Sequence, residues 1–188
     1  MTGSKPAGRK AAETQAGLKY ARTPPAPAVS AHERHLSGYS SRANGSRRYF
    51  EAVFLYDPLE RIELVKAGVP AQTTLALANA MGISKDRLFQ TLGLPRATID
   101  RKLREGKVLS SDESSRVLGM ARLVGQVQAM VEASGDPAGF NAAEWVAQWL
   151  ARPVGALGGR QPGEFMDTAE GQALVSNLLK RAVSGAYS

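Results

Sequence analysis

From Asp57 onward the apolar positions return every three or four residues, and each run is closed by residues that start or stop a helix. In DPLERIELVKAG, Asp57 stands as N-cap, Pro58 takes the first helical position, Glu60 sits where a capping box needs it and Gly68 lies just past the end. Leu59, Ile62 and Val65 are the expected buried stripe. A second helix is predicted from near Pro70 to Gly82, carrying Leu75, Leu77, Ala80 and Met81. In SKDRLFQTLGLPRATIDRKLREG, residues 84–106, Ser84 caps a short helix with Leu88 and Leu92 on one face and Gly93 supplies a turn. Pro95 then opens another helix, whose Ile99 and Leu103 face inward. Two short helices joined by a glycine-containing turn make a helix-turn-helix.

A longer helix follows, begun by the capping box Ser110-x-x-Glu113 and carrying Val117, Met120, Ala121, Val124, Val127 and Val131 at helical spacing until Gly135, Asp136 and Pro137 break it. It is expected to tie the front of the chain to the rear. In FNAAEWVAQWLARP, Asn141 is the cap, Trp145, Val146, Trp149 and Leu150 share a face, and both tryptophans are assigned to the core. The last helix is capped by Asp167 or Thr168, has the stripe Leu174, Val175, Leu178, Leu179, Ala182 and Val183, and ends at Gly185. Upstream, YFEAVFLY, residues 49–56, reads as either a short strand or a packing arm. Residues 1–48 are rich in Gly, Ser, Ala and Pro without any sustained period, as in a disordered arm. The fold class is all-α with at most one small strand: an arm over 1–48, a helix-turn-helix domain with its connecting helix over 49–134, and a small helical domain over 135–188.

Charge changes this picture more than composition does. The 188 residues carry a net charge of +7, and residues 1–50, with nine Lys+Arg against two Glu, hold all of that excess. Such an arm attracts nucleic acid without sequence preference, or merely keeps a tail soluble. A second basic cluster lies on the hairpin, where Lys85, Arg87, Arg96, Arg101, Lys102, Arg104 and Lys107 stand against Asp86, Asp100 and Glu105. With Ile99 and Leu103 inward, Arg96, Thr98, Arg101 and part of Lys102 turn outward as candidates for base edges, and Arg87 and Lys107 fall nearer phosphates. The alternative is a solvated hairpin that never meets DNA.

Enzyme chemistry finds little support. There is no cysteine, and the only histidines, His32 and His35, lie in the arm, which sets aside zinc and Cys-His sites. Glu164 and Asp167 are explained as a solvated neighbour and a cap, and LGGR lacks the GK[ST] ending of a phosphate loop. No cofactor and no metal is expected. No apolar run approaches the roughly 18 residues that span a bilayer, so a cytoplasmic location is expected.

The rear half carries a resemblance. Trp149-Leu150 followed by Pro153, then ALGGRQPGEFMDTAEG, a leucine-rich helix and the terminal GAYS resemble the C-terminal toxin-binding domain of the Xre/MbcA/ParS antitoxins, in which an LGG-x-x-P-x-E-x-x-D-T-x-x-G pattern follows an Xre-like helix-turn-helix. The likeness covers Pro58 to Ser188. One departure is Gly163, where relatives usually carry an apolar residue, and this is expected to loosen the turn that begins there. The resemblance implies an antitoxin that inhibits a RES-domain toxin encoded by an adjacent gene, the NAD chemistry belonging to the partner. It also implies repression of its own operon by binding operator DNA, and a homodimer is expected because a two-fold protein matches a palindromic operator. It places toxin contacts at Gly158, Gly159, Arg160 and Pro162 and on the plug Gly185, Ala186, Tyr187 and Ser188. Arg160 serves equally well in a purely intramolecular salt bridge or as a helix C-cap. The alternative function is a stand-alone transcription regulator whose rear domain dimerises or binds a ligand.

Overall fold

The computed structural model describes Met1, residues 43–135 and residues 138–183. The predicted arm up to residue 42, Asp136, Pro137, the side chain of Val183 and the proposed plug Gly185, Ala186, Tyr187 and Ser188 lie outside the described residues. Eight α-helices follow one another there: α1 Ala43–Leu55, α2 Pro58–Ala67, α3 Gln72–Ala80, α4 Lys85–Thr91, α5 Arg96–Arg104, α6 Ser111–Ala133, α7 Ala142–Leu150 and α8 Ala169–Val183. Short 3-10 turns at Gly155–Leu157 and Pro162–Phe165 join α7 to α8. The described residues hold no strand, only isolated antiparallel bridges between Pro70 and Val108 and between Val154 and Arg160.

Of the two expectations for 49–56, a strand or a packing arm, the strand is not formed, and the segment packs as part of a helix. Tyr49, Phe50 and Val53 are buried while Leu55 is exposed, a spacing of one and four that only a helix places on one side. The helix starts at Ala43, within the stretch expected to be unstructured, and its apolar side lies on α6. Gly125 of α6 sets how close it comes: a Cβ there would overlap the Phe50 carbonyl oxygen. On α6 one turn and a half earlier, a Cβ at Gly119 would overlap the Gln172 carboxamide of α8. The long helix is thus notched for a backbone at one site and for a side chain at the other.

α8 is fixed against α6 by polar as well as apolar contacts. Gln172 donates to the carbonyls of Arg116 (3.0 Å) and Met166 (2.9 Å). Gln126, itself buried, donates to the Ser176 carbonyl and accepts from the Ser176 hydroxyl, so its carboxamide is satisfied inside the core. Thr168, not Asp167, caps α8, its hydroxyl accepting from the Gly171 N–H at 3.0 Å. Val175, Leu178 and Leu179 are buried as the stripe requires, whereas Leu174 is 46% exposed and Ala182 is exposed. One hydrophobic cluster runs from Tyr49 through Leu77, Ile99 and Val124 to Val146, Met166 and Leu179, so the expected boundary near residue 134 does not divide the core.

The caps of α2, α4 and α6 form as the sequence predicts, including both capping boxes. The stripe of α2 does not: Leu64 is buried, Leu59 and Ile62 are 71% and 46% exposed, and Val65 is half-buried. Leu64 is the only buried residue of that helix, and Ile62 and Val65 line a groove beside Leu118 and Leu123 of α6. Ahead of α3, the Ala71 N–H donates to Lys107 O, the Leu109 N–H to Val69 O and the Val69 N–H to the Ser114 hydroxyl. These bonds hold Pro70 in a bridge and delay the start of α3 to Gln72.

Gly125→Ala is expected to lower stability by about 1–3 kcal/mol, because the overlapping atom is backbone and cannot step aside. Gly119→Ala should cost less, since the flexible end of Gln172 can move and the helix gains about 1 kcal/mol from alanine. Urea denaturation of both variants tests this order; a Gly125→Ala chain more stable than the parent would contradict the close approach.

Candidate functional site

Helices α4 and α5 with the turn Leu92 to Pro95 form the predicted hairpin, with Leu88, Leu92 and Ile99 fully buried. Arg116 of α6 locks the turn from behind, donating to the carbonyls of Leu92 (3.0 Å) and Gly93 (2.6 Å) while paired with Asp112. No local pattern marked Arg116 for this role. The sequence offered only its i,i+4 spacing from Asp112, which marks the ion pair and not the hold on the turn.

The basic cluster is largely spent within the fold. Lys85 meets Asp100 at 2.6 Å, and Arg96 reaches Asp86 at 3.2 Å and Asp100 at 3.7 Å. The hydrogen bond from Lys85 holds the Asp100 carboxyl below its ordinary range against a smaller opposing effect of burial. Lys107 pairs with Glu105 at 2.8 Å. Lys102, expected to lie partly outward, points inward to Glu113 at 2.5 Å, with side chains 15% and 8% exposed. Glu113 is also the N3 residue of the α6 capping box, so the ammonium goes to a carboxylate already fixed by the Ser110 N–H. Thr98 is half-buried. Arg87 and Arg101 are exposed and enter no ion pair among the described residues.

The rear loop is built from its glycines. Gly158 and Gly159 have φ of 65° and 80°, and a Cβ at either would meet nothing within 4 Å, so backbone conformation and not space requires glycine there. The turn closes through the Gly159 N–H to Val154 O (3.1 Å) and the Val154 N–H to Arg160 O (3.1 Å). Arg160 is held intramolecularly, bonded to the Glu164 carboxylate at 2.9 and 3.0 Å with its guanidinium 4.4 Å from the Phe165 ring centre. The Gln161 N–H, then Arg160, hold the Glu164 carboxyl below its usual range. Pro162 is buried. Gly163 does not loosen this turn: a Cβ there would stand 3.0 Å from the Leu150 carbonyl, and the glycine lets the 3-10 turn lie against the end of α7.

The tryptophans correct the sequence reading. Trp145 is 36% exposed and Trp149 half-buried, their rings stacked at 6.1 Å and 9°, with Phe140 tilted against Trp145 at 6.4 Å. Val146 and Leu150 alone carry the buried face of α7 among the four residues named for it. A Cβ at Gly93 of the hairpin turn would come within 3.0 Å of Asp167, so the two candidate sites are in contact.

Burial raises the Glu113 carboxyl, but the Lys102 ammonium and the Ser110 amide outweigh it, and its folded value lies below the ordinary 4.5. Its contribution to stability is therefore present above about pH 4.5 and is lost as pH falls through the depressed folded value. Glu113→Gln should flatten the acid limb of the melting-temperature profile. Lys102→Ala should cost about 3 kcal/mol by stranding a buried carboxylate, whereas Arg101→Ala should leave the melting temperature unchanged. Equal melting temperatures for the two alanine variants would contradict the inward placement of Lys102.

Residues 60–122 match the antitoxin Xre-like helix-turn-helix domain, and residues 137–185 match the antitoxin Xre/MbcA/ParS C-terminal toxin-binding domain. The chain is 41% identical over 139 residues to a Sphingobium protein named Prs ADP-ribosylating antitoxin, covering 74% of this chain and 87% of that protein. It is 24% identical over 127 residues to an antitoxin Xre of Yersinia enterocolitica, covering 68% of this chain and 80% of that protein. To an antitoxin Xre of Photorhabdus laumondii it is 24% identical over 125 residues, 66% of this chain and 79% of that protein. A helix-turn-helix clamped to a glycine-turned rear module, with both halves matched in that order, makes this chain a member of the Xre/MbcA/ParS antitoxin family.

Proposed function

We propose that this protein neutralises an ADP-ribosylating toxin of the RES type encoded beside it, and represses the shared operon as a homodimer in the cytoplasm. The 41% identity to a protein named Prs ADP-ribosylating antitoxin, reaching over 87% of that protein, carries this reading. The NAD chemistry belongs to the toxin; this chain contributes binding. No helix among the described residues is long and apolar enough to cross a membrane, in keeping with that setting.

In this reading the rear module inhibits. The Gly158-Gly159 turn and the Gln172 and Gln126 contacts give α8 a fixed direction, so the residues after Val183 start from a defined base. Gly185, Ala186, Tyr187 and Ser188 then enter the toxin's active-site cleft, with Tyr187 burying its ring and offering a hydroxyl. Arg160 and Pro162 shape the module from within.

The front module reads the operator through α4 and α5. Lys85, Arg96, Lys102 and Lys107 are already paired and Arg104 is bonded to the Asp100 carbonyl, so Arg87 and Arg101 are its principal phosphate and base contacts, with the basic residues of the arm adding unspecific attraction.

Co-expression with the adjacent toxin tests the first claim: the full chain should restore growth, and a chain ending at Val183 should bind toxin without restoring it. Equal rescue by both would place inhibition on the helical surface. For the second, Arg87→Ala and Arg101→Ala should each weaken promoter binding and lower the salt slope by about one in a fluorescence anisotropy titration; an unchanged slope would move the contact elsewhere.

A further inference from the structure

An open groove of about 610 Å³ lies between α2, α6 and α8, away from the loop and the hairpin already described. Its floor is apolar, formed by Val65 and the buried Leu118 and Leu123, and Ile62 stands half-exposed among its lining. Four cations, Arg61, Lys66, Arg122 and Lys180, line it, and no carboxylate does. Arg122 and Lys180 are exposed and enter no ion pair among the described residues. Arg61 donates to the Tyr56 carbonyl; burial, then the neighbouring Arg122 guanidinium, lowers its pKa, only partly offset by Asp57. Arg61 and Arg122 thus stand close enough to repel, with Asp57 offsetting part of the charge and Lys66 paired with Glu63 at 3.7 Å, over an apolar floor that no carboxylate lines.

We infer that the groove receives an acidic, amphipathic segment of the toxin, an inference that rests on the function proposed above. Carboxylates would relieve the repulsion between Arg61 and Arg122, and apolar side chains on the same segment would cover Ile62 and Leu118. A nucleic-acid backbone supplies the charge but has nothing to bury on such a floor. A second copy of this chain is disfavoured, because a two-fold contact would set these cations against themselves. The chain's own arm is disfavoured as well, since residues 1–42 carry seven Lys+Arg against two Glu. One wall of the groove is α8, which belongs to the segment matching the toxin-binding domain.

The test is calorimetric titration of the full chain with the purified RES-type toxin from the adjacent gene. The double variant Arg122→Glu, Lys180→Glu should bind at least about 100-fold more weakly while its melting temperature and its affinity for promoter DNA stay unchanged. Binding within threefold of the parent chain overturns the groove as a toxin site. A photoreactive benzoylphenylalanine in place of Ile62, in a chain with all its cations, decides the same question without charge reversal. The cross-link should map to an Asp- and Glu-rich toxin peptide, and a cross-link to duplex DNA or to a second copy overturns the inference. If the parent chain itself binds no toxin, the proposed function falls and takes this inference with it; tight binding with an indifferent double variant removes the groove alone.

Discussion

A carbonyl oxygen and a carboxamide press on α6 at two points where a single methyl group would not fit, and the rest of the chain is arranged by those two contacts. At Gly125 the Phe50 backbone of α1 meets the helix, and at Gly119 the Gln172 side chain of α8 does. Each glycine costs helix propensity, about 1 kcal/mol relative to alanine. The return is close packing: Tyr49, Phe50 and Val53 are buried from one side, Val175 and Leu179 from the other. Arg116, a turn before Gly119, uses the same helix to hold the hairpin turn through the carbonyls of Leu92 and Gly93. Front and rear modules therefore share one support and one core.

That support also governs the electrostatics. Glu113 begins α6 and draws Lys102 inward, while Asp86 and Asp100 engage Lys85 and Arg96 on the hairpin itself. A segment with a formal excess of four positive charges thereby presents Arg87, Arg101 and Arg104 as its cations without an ion pair among the described residues, Arg104 donating to the Asp100 carbonyl. The paired residues are not idle, because Lys85 of α4 with Asp100 of α5 and Arg96 of α5 with Asp86 of α4 tie the two helices together. Exposed pairs of this kind add little to stability, on the order of 0–1 kcal/mol, and their effect is mainly geometric.

What was legible in the sequence was local. The caps at Asp57, Ser84, Ser110 and Asn141 act within three residues of themselves, and all form as expected. What depended on a distant partner was not. Which residue of α2 is buried depends on what packs against it, and Lys102 turns inward because Glu113, at the start of the next helix, is there to receive it. Trp145 was assigned to the core by its bulk, but α7 has only one buried face, and Val146 and Leu150 occupy it. Over residues 49–56 the aromatic and β-branched content argued for a strand, although the spacing of Tyr49, Phe50 and Val53 was already helical. The glycines of α6 were a signal of close approach, since an isolated glycine in a long helical pattern usually has a packing reason.

A shared core also restricts how the two modules influence each other. Separating them along the α6–α8 seam would expose Val175, Leu178 and Leu179 and break the paired bonds between Gln126 and Ser176. Full exposure of a buried valine or leucine costs about 1.5–3 kcal/mol each, so a hinge there would need several times the coupling energy of about 1–3 kcal/mol that joins sites in allosteric proteins. A ligand shifts only an equilibrium between states that are both within reach. In a frame this tight, a partner seated on the rear module would have no α6–α8 hinge to work, and its effect on the front module would be confined to the space it fills and the charge it brings.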